Sequence, residues 1–159
     1  MRITKYTVQL DENRRNVLVK ESSNNYPDIL RLDYTYEIVK TMNMMFHASV
    51  LAEEHLWMLA MDTNFHLIGV FEISHGTVDE SLINPREIFV RLCLCGAVKF
   101  VLVHNHPSGS TTPSEADIKV TARINECRKL MAIKLIDHII IGDGYYSFYE
   151  NKTILGEEA

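Results

Sequence analysis

The sequence predicts an α/β fold, a mixed β-sheet flanked by helices, and three observations carry that prediction. Stretches with apolar residues at helical spacing alternate along the chain with short apolar runs of strand character. Two of those runs, Val98–Val103 and Ile133–Ile141, are apolar at nearly every position, as strands are when both faces are covered. Two helix starts are spelled out by capping residues, Asn84-Pro85-Arg86-Glu87 and Thr112-Pro113-Ser114-Glu115. With 159 residues and 47% hydrophobic content, the chain has the size and apolar supply for one compact core.

In chain order, Ile3, Val8 and Leu10, then Val17 and Val19, alternate with polar residues around Asp11-Glu12-Asn13, which predicts a hairpin. Ser22 to Asp28 is rich in turn formers and contains Pro27, so residues 1–27 read as a hairpin extension and linker, and 28–159 as the main domain. Ile38, Met42 and Met45 mark an amphipathic helix from Thr35, its methionines filling the core. A second hairpin follows, Leu56–Met61 and His66–Ser74 around Asp62-Thr63-Asn64. The next helix starts at Pro85, buries Ile88, Phe89, Leu92 and Cys95, and stops at Gly96. The strand from Val98 runs straight into His104. The last helix carries Val120, Ile124, Cys127 and Met131 on its inner stripe.

Composition narrows the function. Sixteen basic against 21 acidic residues give a formal charge of -5 without a dense Lys/Arg stripe, which disfavours strong direct binding to nucleic acid. No apolar run approaches the roughly 20 residues that span a bilayer, and Met1-Arg2-Ile3-Thr4-Lys5 is not followed by a signal-type apolar stretch, so a cytoplasmic location without membrane association is expected. Three cysteines, with Cys93 and Cys95 diverging by about 200° on a helix, argue against a disulfide framework. Oligomeric state leaves no mark in the sequence.

The chemistry gathers at His104, His106 and Asp117. Residues i and i+2 of an extended segment share a face, so His104 and His106 can chelate one ion. Pro107-Ser108-Gly109 then turns the chain, and Asp117 lies in the first turn of the following helix, on the stripe of Val120 and Ile124. Two imidazoles and a carboxylate suit Zn²⁺ and leave a fourth tetrahedral position open for water. On spacing alone, an isolated His-x-His is more often two unrelated histidines, and Ser114-x-x-Asp117 also fits a helix-capping box.

His104-Asn105-His106-Pro107-Ser108-Gly109, followed by Pro113-Ser114-Glu115-Ala116-Asp117, resembles the JAMM signature of RadC-like JAB/MPN domains. The resemblance continues through Gly76-Thr77-Val78, Pro85-Arg86-Glu87 and Asp137–Gly142, and covers roughly residues 33 to 149. Six residues separate Pro107 from Ser114, and the first 30 residues do not resemble the helix-hairpin-helix module common in RadC proteins.

The resemblance implies a JAB/MPN, cytidine-deaminase-like metalloprotease fold. It implies a zinc-dependent hydrolase of protein or peptide amide bonds, with His104, His106 and Asp117 as ligands. It further implies Glu72 as general base and Ser114 as a hydrogen-bond donor to the developing oxyanion. His138 reads as a core or hydrogen-bonding histidine, and His47, His55, His66 and His75 as surface or loop residues without ligand spacing. Two other classes remain. One is a RadC-family repair or mobile-element accessory protein acting through a partner without catalysis. The other is a zinc hydrolase of nucleic acid, which the acidic balance disfavours.

Overall fold

The computed structural model describes residues 1–29, 31–76 and 83–153. Thr77 and Val78 of the resemblance and residues 154–159 of the expected main domain lie outside these. The chain forms β1 (Arg2–Leu10), β2 (Asn16–Asn25), α1 (Thr35–Phe46), β3 (His55–Met61), β4 (Leu67–His75), α2 (Pro85–Cys95), β5 (Lys99–Asn105), α3 (Glu115–Met131), β6 (Lys134–Ile141) and β7 (Tyr145–Ser147). Strands pair in the order β2-β1-β4-β3-β5-β6-β7, with β1·β4 and β5·β6 parallel and the rest antiparallel. The predicted mixed α/β sheet is therefore observed.

Strand β5, predicted to be covered on both faces, is so, and its neighbour β3 shares that burial. One face of β3 and β5 (Leu56, Met58, Ala60, Phe100, Leu102) packs with Ile88, Phe89 and Leu92 of α2 and Val120 and Ile124 of α3. The other face (Trp57, Leu59, Met61, Val101, Val103) packs with Ile38 and Met42 of α1. The caps act as the sequence predicts: the Asn84 side chain accepts from the Arg86 N–H with Pro85 in the first turn, and Gly96 closes α2 at φ 68°.

Two features depart from the sequence reading. Ser22 to Asn25, expected as linker, is strand: Arg2 pairs with Asn25, Thr4 with Ser23, and the Thr4 and Ser23 hydroxyls bond across the ladder at 3.0 Å. A cross-strand partner overrides the turn preference of these residues, because strand propensity is largely a property of the neighbours. The hairpin also joins the sheet, with β1 parallel to β4 through Lys5 and Tyr6, and Ile3 buried beside Ile29 and Leu32. Strand β7 is a three-residue piece, too short for a periodic pattern. Among the described residues no helix is long and apolar enough to cross a membrane.

The β6–β7 end contains one buried acid whose charge costs stability. Burial pushes the Asp137 carboxyl up to about 6, despite hydrogen bonds donated by Ser147 Oγ and the Tyr149 N–H. Because the folded-state value lies above the unfolded one, this group's contribution is complete below the unfolded pKa and is lost as pH rises toward the folded value. The loss between about pH 4 and 6 is on the order of 3 kcal/mol. Asp137→Asn is expected to remove this component, which the difference between wild-type and variant urea midpoints against pH will read. Parallel profiles would contradict it.

Candidate metal centre

The first two side chains of the centre are placed by the end of β5. His104 lies in the strand on the α2/α3 face, directly across from Leu56. His106 follows the strand end, where its N–H donates to the Ile141 carbonyl at 2.8 Å and so ties it to β6. The turn after it needs Gly109, which sits at φ 79°; a Cβ there would also lie 2.7 Å from the Asp143 carboxylate. Asp143 in turn donates its N–H to the Gly109 carbonyl at 2.8 Å, so the turn between β6 and β7 holds the loop in place.

Helix α3 brings the third. Ser114 caps it, accepting from the Asp117 N–H, while the Asp117 carboxylate accepts from the Ser114 N–H and Oγ–H, both at 2.7 Å. This reciprocal box turns Asp117 inward, 3% exposed, with one oxygen 3.1 Å from His104 Nε2 and the other 3.4 Å from His106 Nε2. The two Nε2 atoms are 2.9 Å apart.

A chain of hydrogen bonds fixes where the protons sit. Thr121 Oγ1 donates its one proton to the Asp117 carbonyl, so it accepts from His138 Nδ1–H at 2.6 Å. His138 Nε2 is left as acceptor, and His104 Nδ1–H donates to it at 2.9 Å. Burial, and then the neighbouring His104, push His138 well below the ordinary histidine range and keep it neutral. His106 Nδ1–H donates to the Ser110 carbonyl at 2.9 Å, an atom that only accepts. In the neutral rings, then, both Nε2 atoms present lone pairs to each other and to a carboxylate.

Two lone pairs and a negative charge converging in a mostly buried space repel one another unless a cation stands between them. The donors fit a divalent metal ion: one donor atom from each of His104, His106 and Asp117 lies within 4.8 Å of the others. Each imidazole has its other nitrogen held by a hydrogen bond, as ligating histidines do. Without a cation, a proton shared between the carboxylate and an imidazole serves the same purpose. Burial opposes the charge on Asp117, but His104, His106 and Ser114 outweigh it and hold the carboxyl well below the usual range. Asp117 raises His106, against the effect of burial.

A model of the RadC-like JAB domain matches residues 33–153. The chain belongs to the RadC-like JAB domain family. Relatives include a UPF0758 protein of Clostridium tetani, 38% identical over 135 residues, which is 85% of this chain and 57% of the relative. A UPF0758 protein of Clostridium acetobutylicum is 40% identical over 65% of this chain and 45% of its own length. One of Clostridium perfringens is 42% identical over 67% and 47%. The chain thus spans about half the length of these relatives.

In this RadC-like domain the structure brings His104, His106 and Asp117 together, sets Ser114 beside them, and keeps Glu72 away. Cross-strand partners share a face. Glu72 is opposite Trp57, on the α1 side, whereas His104 is opposite Leu56, on the α2/α3 side. The register shift of the β3–β4 pair at Leu56/Trp57 contributes to this placement. The Glu72 carboxylate accepts from Lys5 Nζ at 2.8 Å and His55 Nδ1 at 3.0 Å. Against burial, these two hold its pKa below the ordinary glutamate value, which makes it a poor proton acceptor. Ser114 spends its hydroxyl proton on Asp117, which makes it a positioning residue.

The acidic residue that sequence reasoning missed is Glu54. Gly76 N–H donates to the Glu54 carbonyl at 2.9 Å, which extends the β3–β4 ladder by one position. Strand alternation then aims the Glu54 side chain to the Leu56 and His104 face. Its charge contributes to raising His106. A cavity of about 300 Å³ is lined by Ala52, Glu53, Glu54, Gly76 and Pro107, next to His106. The signal available in sequence was period two: Glu54, Leu56, Met58 and Ala60 share one face of the strand. Thr121, four residues after Asp117 on the same helical stripe, was legible in the same way.

Proposed function

We propose that the chain is a zinc-dependent hydrolase of the JAMM type that cleaves an amide or isopeptide bond in a protein or peptide. The observation that supports this most is the convergence of two imidazole lone pairs and a carboxylate whose tautomers are set by Ser110 and by the Thr121–His138 relay. Three protein donors are what a catalytic zinc uses, with a position left for water. Zinc held by His104, His106 and Asp117 would supply Lewis acidity and a bound water of near-neutral pKa.

The chain's own residues perform the rest. His138 and Thr121 keep His104 presented through Nε2, and Ser114 keeps both Asp117 oxygens turned inward. The Glu54 carboxylate, at the cleft beside His106, takes a proton from the attacking water and returns it to the leaving amine. The buried side of the centre excludes solvent, since His104 and Asp117 are closed off and only His106 is partly exposed. The substrate enters by the cleft of Glu54 and Pro107.

Zinc content and an unbiased peptide-library cleavage assay test this reading. Tag-free wild-type protein purified without chelators is expected to retain zinc and cleave; His106→Ala is expected to lose both. Protein that holds no zinc would sink the proposal. Zinc retained with no cleavage of any peptide would favour a partner-binding accessory role in place of catalysis.

A further inference from the structure

Three of the histidine and acidic residues outside the centre meet at the ends of β3 and β4. His55 and His75, expected as surface or loop residues without ligand spacing, are directly opposite on the antiparallel pair. Their rings stack at 4.1 Å with an interplanar angle of 17°. Glu53 approaches from the segment before β3, its carboxylate in contact with His75 Nε2. One donor atom from each of the three lies within 4.8 Å of the others.

We infer that Glu53, His55 and His75 form a second metal site, taking a divalent first-row transition ion, on the sheet face opposite the His104 centre. Two imidazoles and a carboxylate are the donor set such ions prefer. His55 is prepared for the role. Its Nδ1–H donates to Glu72, its N–H donates to Asn105 Oδ1 at 2.9 Å, and its ring stacks on Trp57 at 5.1 Å. A ring nitrogen held by a carboxylate, with the other left as donor, is the usual setting of a ligating histidine. Glu72, in turn, is steadied by Lys5. The half-buried carboxylate that does not reach the first centre thus has a role in orienting a ligand of the second.

Closing the site requires only side-chain movement. A tetrahedral ion with bonds of about 2.0–2.1 Å spaces its donors by about 3.3 Å. His75 and Glu53 are more than half exposed, and turning His75 out of its stack aims both at an ion held by His55, which stays fixed. The ion would expose positions to solvent, and Glu53 would be drawn to one wall of the cleft that Glu54 also lines.

Trp57, the chain's one tryptophan, reports on this site because it stacks on His55 and lies on the face away from His104. Tag-free protein is titrated with Ni²⁺ while tryptophan emission is followed, and zinc stoichiometry is measured by native mass spectrometry. Wild type is expected to show quenching and to carry one zinc more than His75→Ala. His106→Ala, emptied at the first centre, is expected to keep the quenching. Glu72→Gln is expected to weaken Ni²⁺ about 10–100-fold. Absence of quenching in wild type, or equal quenching in His75→Ala and Glu53→Gln, would overturn the second site. Loss of zinc from the first centre alone leaves these Ni²⁺ readings unchanged, so the two assignments fail separately.

Discussion

Glu54→Gln is expected to leave the protein folded and metal-loaded while turnover falls about 10²–10⁴-fold, the usual worth of a positioned general base. Gln preserves shape and polarity but takes no proton at neutral pH. The side chain lines a cleft and belongs to neither apolar core, so the variant should stay folded. Glu72→Gln is the informative contrast. Its carboxylate belongs to Lys5 and His55 on the other sheet face, so turnover should change little, whereas stability should drop with the loss of a half-buried ion pair. Steady-state kinetics of the two variants, with zinc content measured in parallel, decide between them. The opposite pattern, Glu72→Gln inactive and Glu54→Gln active, would return the base to β4.

Removing His138 is expected to weaken zinc at the first centre about 10–100-fold without touching a ligand. His138→Phe takes away the acceptor that fixes the His104 tautomer, and with it the lone pair that Nε2 presents. It also strands His104 Nδ1–H in a buried setting at a cost of about 1–3 kcal/mol. Phe suits the space, since His138 already stacks on Phe148 at 5.1 Å and 10°. Thr121→Val is the gentler probe, near in shape and lacking only the hydroxyl that accepts from His138 Nδ1–H. Its loss in affinity should fall between wild type and His138→Phe. Competition with a chromogenic chelator measures all three, and unchanged affinity in both variants would show that the relay does not set the tautomer.

Much of the first centre was legible because its parts are local. His104 and His106 are two residues apart at a strand end, and Ser114 and Asp117 three apart at a helix start, so short-range geometry alone aims them. The same holds for α2, whose cap and stop are contiguous with its apolar stripe. Glu72 went astray because the face a strand residue points to depends on its pairing, and the β3–β4 register shifts near the site. The partner of Glu72 in the structure is Lys5, 67 residues away, a long-range fact.

By itself the sequence determined the α/β class, the two capped helices, the apolar central strands and the His104–His106–Asp117 spacing, since each follows from steric periodicity within a few residues. Only the tertiary structure decided what meets across strands and helices. It placed Glu72 on the sheet face away from His104, set Glu54 in the cleft beside Pro107, and linked Thr121 to His104 through His138. It also made the first hairpin part of the sheet and brought His55 to His75. These depend on which residues strand pairing and packing place opposite one another, and that is settled by burying two apolar faces at once rather than by any local preference.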